Sequence, residues 1–124
     1  MLHDVGQAAA NREVWSNMNP MDEAQELRRG IEWVVAHEHP THVAFDLNVP
    51  EQAAFFVEIV SVVHGRGMHR AKEHFNTQRL RELEWWQLVF LRGLMRARRR
   101  WLATWPELKQ AVNARERAVT GVSE

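Results

Sequence analysis

The chain contains no cysteine among its 124 residues, which excludes a disulfide framework, a thiolate-bound metal and a cysteine nucleophile, and suits a reducing compartment. Tyrosine is also absent. The serines Ser16, Ser61 and Ser123 stand in no Gly-x-Ser-x-Gly setting, so nucleophilic acyl transfer has no recognisable seat. Gly65-Arg66-Gly67 is too short for a phosphate-cradling loop and follows an apolar segment of helical character where such loops follow a strand. The Glu-x-x-His pairs of di-iron bundles are missing, as are two histidines four residues apart on a helix, the zinc-protease pattern. No apolar run is long enough to span a bilayer, and the first residues lack the basic and apolar regions of a secretory signal. These absences lead to the expectation of a soluble, cytoplasmic protein with no membrane contact and no cofactor. With no internal repeat, low-complexity stretch or dividing linker, residues 1–124 are expected to form a single helical domain.

What is present is apolar and helical. Hydrophobic residues make up 45% of the chain and charged residues 26%, with six Trp, a composition that can sustain a core without staples. Residues 77–105 read as one long central helix. At 3.6 residues per turn, Leu83, Trp86, Phe90, Leu94, Ala97 and Trp101 share one stripe, and Leu88, Leu91, Met95, Leu102 and Trp105 share a neighbouring one. Two apolar stripes require neighbours on two sides. Adjacent Trp85 and Trp86 point about 100° apart, so burying both requires the same enclosure. The surplus apolar surface predicts association with a second copy or a different protein, through Trp and Arg side chains of the kind that anchor interfaces.

The remaining segments supply the neighbours. Residues 4–17 suggest a short first helix capped by Asp4. Pro20 to His37 carries Ala24, Leu27, Ile31, Val34 and Val35 at three- and four-residue steps, with Asp22, Glu23 and Glu26 near the positive end of the helix dipole. Residues 41–47 alternate, Val43, Phe45 and Leu47 opposing His42, Ala44 and Asp46. A lone strand has nothing to pair with in a helical chain, so this stretch is read as an extended connector packing Phe45 on the core. Asn48-Val49-Pro50-Glu51 has capping-box spacing and opens a mostly apolar helix that Gly65 and Gly67 stop. A further helical segment from Met68 to Phe75, a boundary at Asn76-Thr77, and a last helix over residues 107–119 complete an all-α bundle of about five helices around a long central one.

Formal charge is zero, yet residues 1–62 carry ten Asp/Glu against three Lys/Arg, and residues 63–124 carry six against thirteen. The simplest consequence is an acidic half folded against a basic half; the sharper one is a basic surface left free for nucleic acid or an acidic partner. The basic cluster is Arg96, Arg98, Arg99 and Arg100, with Arg92 a turn earlier and Trp101 and Trp105 close by. Guanidinium forks hold carboxylates or phosphates, and tryptophan fills pockets or stacks on bases. His37, His39, His42 and Asp46 form the densest group of potential metal ligands, although their spacing matches no defined motif and a histidine at a helix C-terminus is favoured by the dipole alone.

The function expected from these residues is a non-enzymatic protein-binding module. An inhibitor or adaptor is the expected kind, with small cysteine-free phage proteins that block a host enzyme or defence complex as one analogous class. Trp85, Trp86, Arg96, Arg98, Arg99, Arg100, Trp101 and Trp105 are its expected contact residues, and a homodimer is one form the association takes. The alternative is a nucleic-acid-binding regulator using the same arginines. The third is a metal-dependent enzyme built on the histidines.

Overall fold

A computed structural model describes residues 20–38, 41–64, 68–98 and 105–120; the helix expected over residues 4–17 lies outside them. Six helices are described: α1 (Pro20–His37), α2 (Pro50–Val63), α3 (Met68–His74), α4 (Thr77–Glu82), α5 (Trp85–Ala97) and α6 (Pro106–Thr120). No strand occurs among the described residues, and the architecture is all-α.

Three helices begin where proline makes beginning cheap, since its fixed φ suits the first turn and its missing N–H has no intrahelical acceptor there. These are α1 at Pro20, α2 at Pro50 and α6 at Pro106. At α2 the expected capping box does not form. Val49 is the cap residue, and Asn48 donates its backbone N–H to Asp46 Oδ1 at 2.9 Å. Asp46 turns the chain here and leaves Asn48 outside the helix. The boundary at Asn76-Thr77 is a cap, with Asn76 Oδ1 accepting from the Arg79 N–H at 3.0 Å.

The expected continuous helix over residues 77–105 is instead two helices. Leu83 adopts extended backbone (ψ 150°), and Glu84 (ψ 166°) caps a new start. Its N–H donates to Gln87 Oε1 at 2.8 Å, and Trp86 Nε1 donates to Glu84 Oε1 at 2.9 Å. The side chains of α5's first turn thus satisfy the groups that a continuous helix would have used. The central element is α5, shorter than α1.

The expectation of enclosure on two sides does hold for α5. Leu88, Val89, Phe90 and Leu91 are consecutive and fully buried, a pattern only a surrounded helix shows. Its principal neighbour is α1, with α6 and α2 also packed on it. The pair α1–α5 runs antiparallel, because Arg98 at the C-terminal end of α5 meets Glu23 and Glu26 in the first turns of α1, while Arg92 meets Glu38 just past α1's other end. At their crossing the backbones touch. A Cβ added to Gly30 would lie 2.2 Å from the Gly93 carbonyl oxygen, and one added to Gly93 would lie 2.7 Å from Ile31 Cα. One hydrophobic cluster joins these helices, including Ile31, Phe55, Phe75, Leu80, Leu94 and Leu108.

The connector behaves as its alternation predicts. Phe45 is half-buried, 5.3 Å edge-on from Phe90 and 6.4 Å from Phe56, while His42, Ala44 and Asp46 face solvent. Gln52 fastens it to α2, donating from Nε2 to the Ala44 carbonyl at 2.9 Å and accepting from the Asp46 N–H at 2.8 Å. Each bond contributes about 1 kcal/mol net, so Gln52→Ala is expected to cost about 2 kcal/mol in denaturant unfolding and to speed hydrogen exchange at Asp46. Unchanged exchange at Asp46 would show that the connector is held without Gln52.

Candidate partner-binding cleft

The run of basic residues divides once α1 is in place. Arg98, expected on the contact surface, is turned inward at 5% exposure. Its guanidinium bonds Glu26 and lies 3.7 Å from Glu23 Oε2. Burial draws its pKa below the ordinary guanidinium value, and the charges of Glu26 and Glu23, with the Glu26 hydrogen bond, oppose that shift. Trp105 is likewise a correction: at 2% exposure it belongs to the core beside Leu108 and is closed to a partner. Arg99, Arg100 and Trp101 lie outside the described residues.

Trp85 and Trp86 are each half-buried and already employed within the chain. The Trp85 indole N–H donates to the Thr41 carbonyl and so fixes the start of the connector. Trp86 packs edge-on to Phe55 at 5.6 Å and Phe90 at 5.2 Å. Much of the apolar surplus expected of the central helix is therefore taken up by α2 and the connector. The large hydrophobic side chains that remain exposed among the described residues are Met21, Val49 and Val57.

Arg96 faces the other way from Arg98 and shapes a different site. Its Cζ sits 3.8 Å from the centroid of the Trp33 ring, a cation–π contact. His37 stacks on the same indole at 4.6 Å and 15° and donates from Nδ1 to the Trp33 carbonyl at 3.0 Å. Arg29, Gly30 and Trp33 from α1, with Arg96 and Ala97 from α5, line a cleft of about 310 Å³ that Glu26 completes. Gly30 and Ala97 form its floor, where the two helices are in close contact. Neither Arg29 nor Arg96 has an ion-pair partner among the described residues, whereas Arg28 is paired with Glu32, Arg79 with Glu58 and Arg92 with Glu38.

Arg29 and Trp33 were not among the residues the sequence singles out. They stand four apart on α1 and hence on one helical face. That spacing was legible, but the gap beside them depends on how α5 crosses α1.

Among the described residues, His37, His42 and Asp46 are not gathered into a metal-holding cluster. His37 is engaged with Trp33, exposed His42 stands at φ 55°, and Asp46 Oδ1 accepts from Asn48. His39 lies outside the described residues, among which no cluster of three or more His, Asp or Glu is placed to hold a metal ion. A second cleft, about 570 Å³, is lined by Glu58, Ser61, Val62, Arg70, Glu73 and His74. Its charges are internally matched: Glu58 Oε2 accepts from His74 Nε2 at 2.7 Å and from Arg79 Nη2 at 3.0 Å, and Arg70 pairs with Glu73 at 3.4 Å.

Among the described residues no helix is long and apolar enough to cross a membrane. No family model, curated protein or solved structure matches the chain.

Proposed function

We propose that the chain is a non-enzymatic protein-binding module of the inhibitor or adaptor kind, and that it meets its partner at the cleft between α1 and α5. The observation that carries this reading is the pair of guanidinium groups, Arg29 and Arg96, without an ion-pair partner among the described residues and beside half-buried Trp33. Trp and Arg dominate the energetics of protein interfaces, and here they are concentrated in one concave place. An immobilised wild-type chain is expected to retain a protein from source lysate after nuclease treatment and at moderate salt. The double charge reversal Arg29→Glu with Arg96→Glu should reduce capture about tenfold, chiefly through slower association. Melting curves that coincide with wild type would exclude unfolding as the cause.

The rival reading, a nucleic-acid-binding regulator, draws on the same two arginines. It is disfavoured by the shortness of the cationic site, since Arg29 and Arg96 are the only basic residues that line the cleft among the described residues. A polyanion needs a track of cations, and its affinity falls steeply with salt as counterions are released. Salt-sensitive duplex binding, lost in the charge-reversed variant, together with no nuclease-resistant capture, would establish that rival instead.

A further inference from the structure

The geometry points to an acidic peptide segment as the occupant of the α1–α5 cleft, an Asp or Glu side chain being received by Arg29 and Arg96. This rests on the protein-binding reading above and names the chemistry of the partner. Arg96 is already placed, its Cζ 3.8 Å from the centroid of the Trp33 ring. Little side-chain entropy remains to be lost when a carboxylate takes its N–H edge. Arg29 stands on the helical face that carries Trp33 and contributes a second cation to the same cleft. Two guanidinium groups sharing a concavity repel each other and attract a single anion, and the planar fork of arginine matches a carboxylate in bidentate fashion. The one carboxylate of the cleft wall, Glu26, does not serve as that anion, because its Oε1 is engaged by Arg98.

Size narrows the choice further. A cleft of about 310 Å³ is at the low end of small-ligand sites and receives a side chain with its flanking main chain more readily than a large cofactor. Two guanidinium groups suit one negative group seated on them better than a continuous phosphate backbone, which needs a track of cations.

The test uses fluorescence anisotropy with the full chain. The probes are a fluorescein-labelled peptide of alternating glutamate and alanine, the same peptide with glutamine for glutamate, and a labelled DNA duplex. The glutamate peptide is expected to bind and the glutamine peptide to fail. Affinity for the glutamate peptide should fall at least about tenfold in the variant Arg29→Gln with Arg96→Gln. Arg96→Lys should not restore it, since an ammonium offers no fork. In wild type the indole N–H resonance of Trp33, assigned through Trp33→Phe, should move on titration.

Equal binding of the glutamate peptide by wild type and double variant, or no binding at all, overturns the inference; so does tighter binding of the duplex through the same arginines. If lysate capture persists while the peptide fails, the module reading stands and the acidic chemistry is wrong. If the peptide binds as expected while nothing is captured, the acidic chemistry stands and the protein partner is wrong.

Discussion

Gly93→Ala is expected to lower the unfolding free energy by about 3 kcal/mol, although by helix propensity alone the change should raise it by about 1 kcal/mol. The reversal follows from the crossing of α1 and α5. The new methyl would lie 2.4 Å from Ile31 Cγ1 and 2.7 Å from both Ile31 Cα and Ile31 N. A side-chain atom can turn away, but two backbone atoms inside a helix cannot, so the helices must separate. Separation at this point loosens Ile31, Leu91 and Leu94 together, each essentially without solvent exposure. Gly30→Ala meets the Gly93 carbonyl oxygen at 2.2 Å and should behave alike. Ala36→Gly, at an exposed position of α1, serves as the opposite control and should cost about 1 kcal/mol. Urea unfolding of the three variants decides the matter. If Gly93→Ala stabilises the protein, the two backbones are not in contact there. A further consequence concerns the cleft, whose wall includes Gly30 and Ala97: forcing α1 from α5 should also weaken peptide binding.

The elements bounded by proline were legible because proline acts within its own residue and its neighbour. Pro20 and Pro106 mark their helices whatever packs on them. The break at Leu83-Glu84 has neither Gly nor Pro. Its signal was the spacing Glu84-x-x-Gln87, a capping pair hidden inside an apolar run that favours helix on both sides. At Asn48 the cap spacing is present, but Asp46 Oδ1 takes the Asn48 backbone N–H that the box would have given to Glu51. Local spacing proposes caps, and the side chains a few residues away decide among them.

The contact surface was harder to read for a physical reason. Arg96 and Arg98 are neighbours in sequence, about 200° apart around a helix, and phase alone does not say which faces α1. The antiparallel placement of α1 decides it, sending Arg98 to Glu26 and Glu23 and leaving Arg96 over Trp33. The opposed charge of the two halves was legible and is used internally: the pairs Glu38–Arg92, Glu26–Arg98, Glu58–Arg79 and Glu23–His64 all join a carboxylate of the first half to a cation or histidine of the second. The cleft sets Arg29 of the first half beside Arg96 of the second, neither in an ion pair among the described residues.

Arg98→Met is expected to cost about 3 kcal/mol, as breaking one side of a buried ion pair does, and the same loss is expected for Glu23→Met. In the first variant Glu23, at 1% exposure, keeps a hydrogen bond from His64 Nδ1 at 2.6 Å but loses Arg98 from the side of Oε2, an oxygen that accepts no hydrogen bond even in the intact protein. In the second, Arg98 keeps its bond to Glu26 but loses the second carboxylate that offsets the burial of its charge. The lowered pKa of Arg98, caused first by burial, carries the sign of the argument. A base whose pKa falls on folding is less comfortable as a cation in the fold than in water, so the charge is a cost that Glu23 and Glu26 offset. Arginine stays protonated across the working pH range, and the cost does not vanish by titration there. Removing both buried charges should therefore be far less damaging than removing either one. The double variant Glu23→Met with Arg98→Met is expected within about 1 kcal/mol of wild type, with Glu26, which is partly exposed, turning to water. A double-mutant cycle by urea unfolding measures this directly. Additive losses in the double variant would mean that the two side chains stabilise the fold independently, through packing and not through their charge.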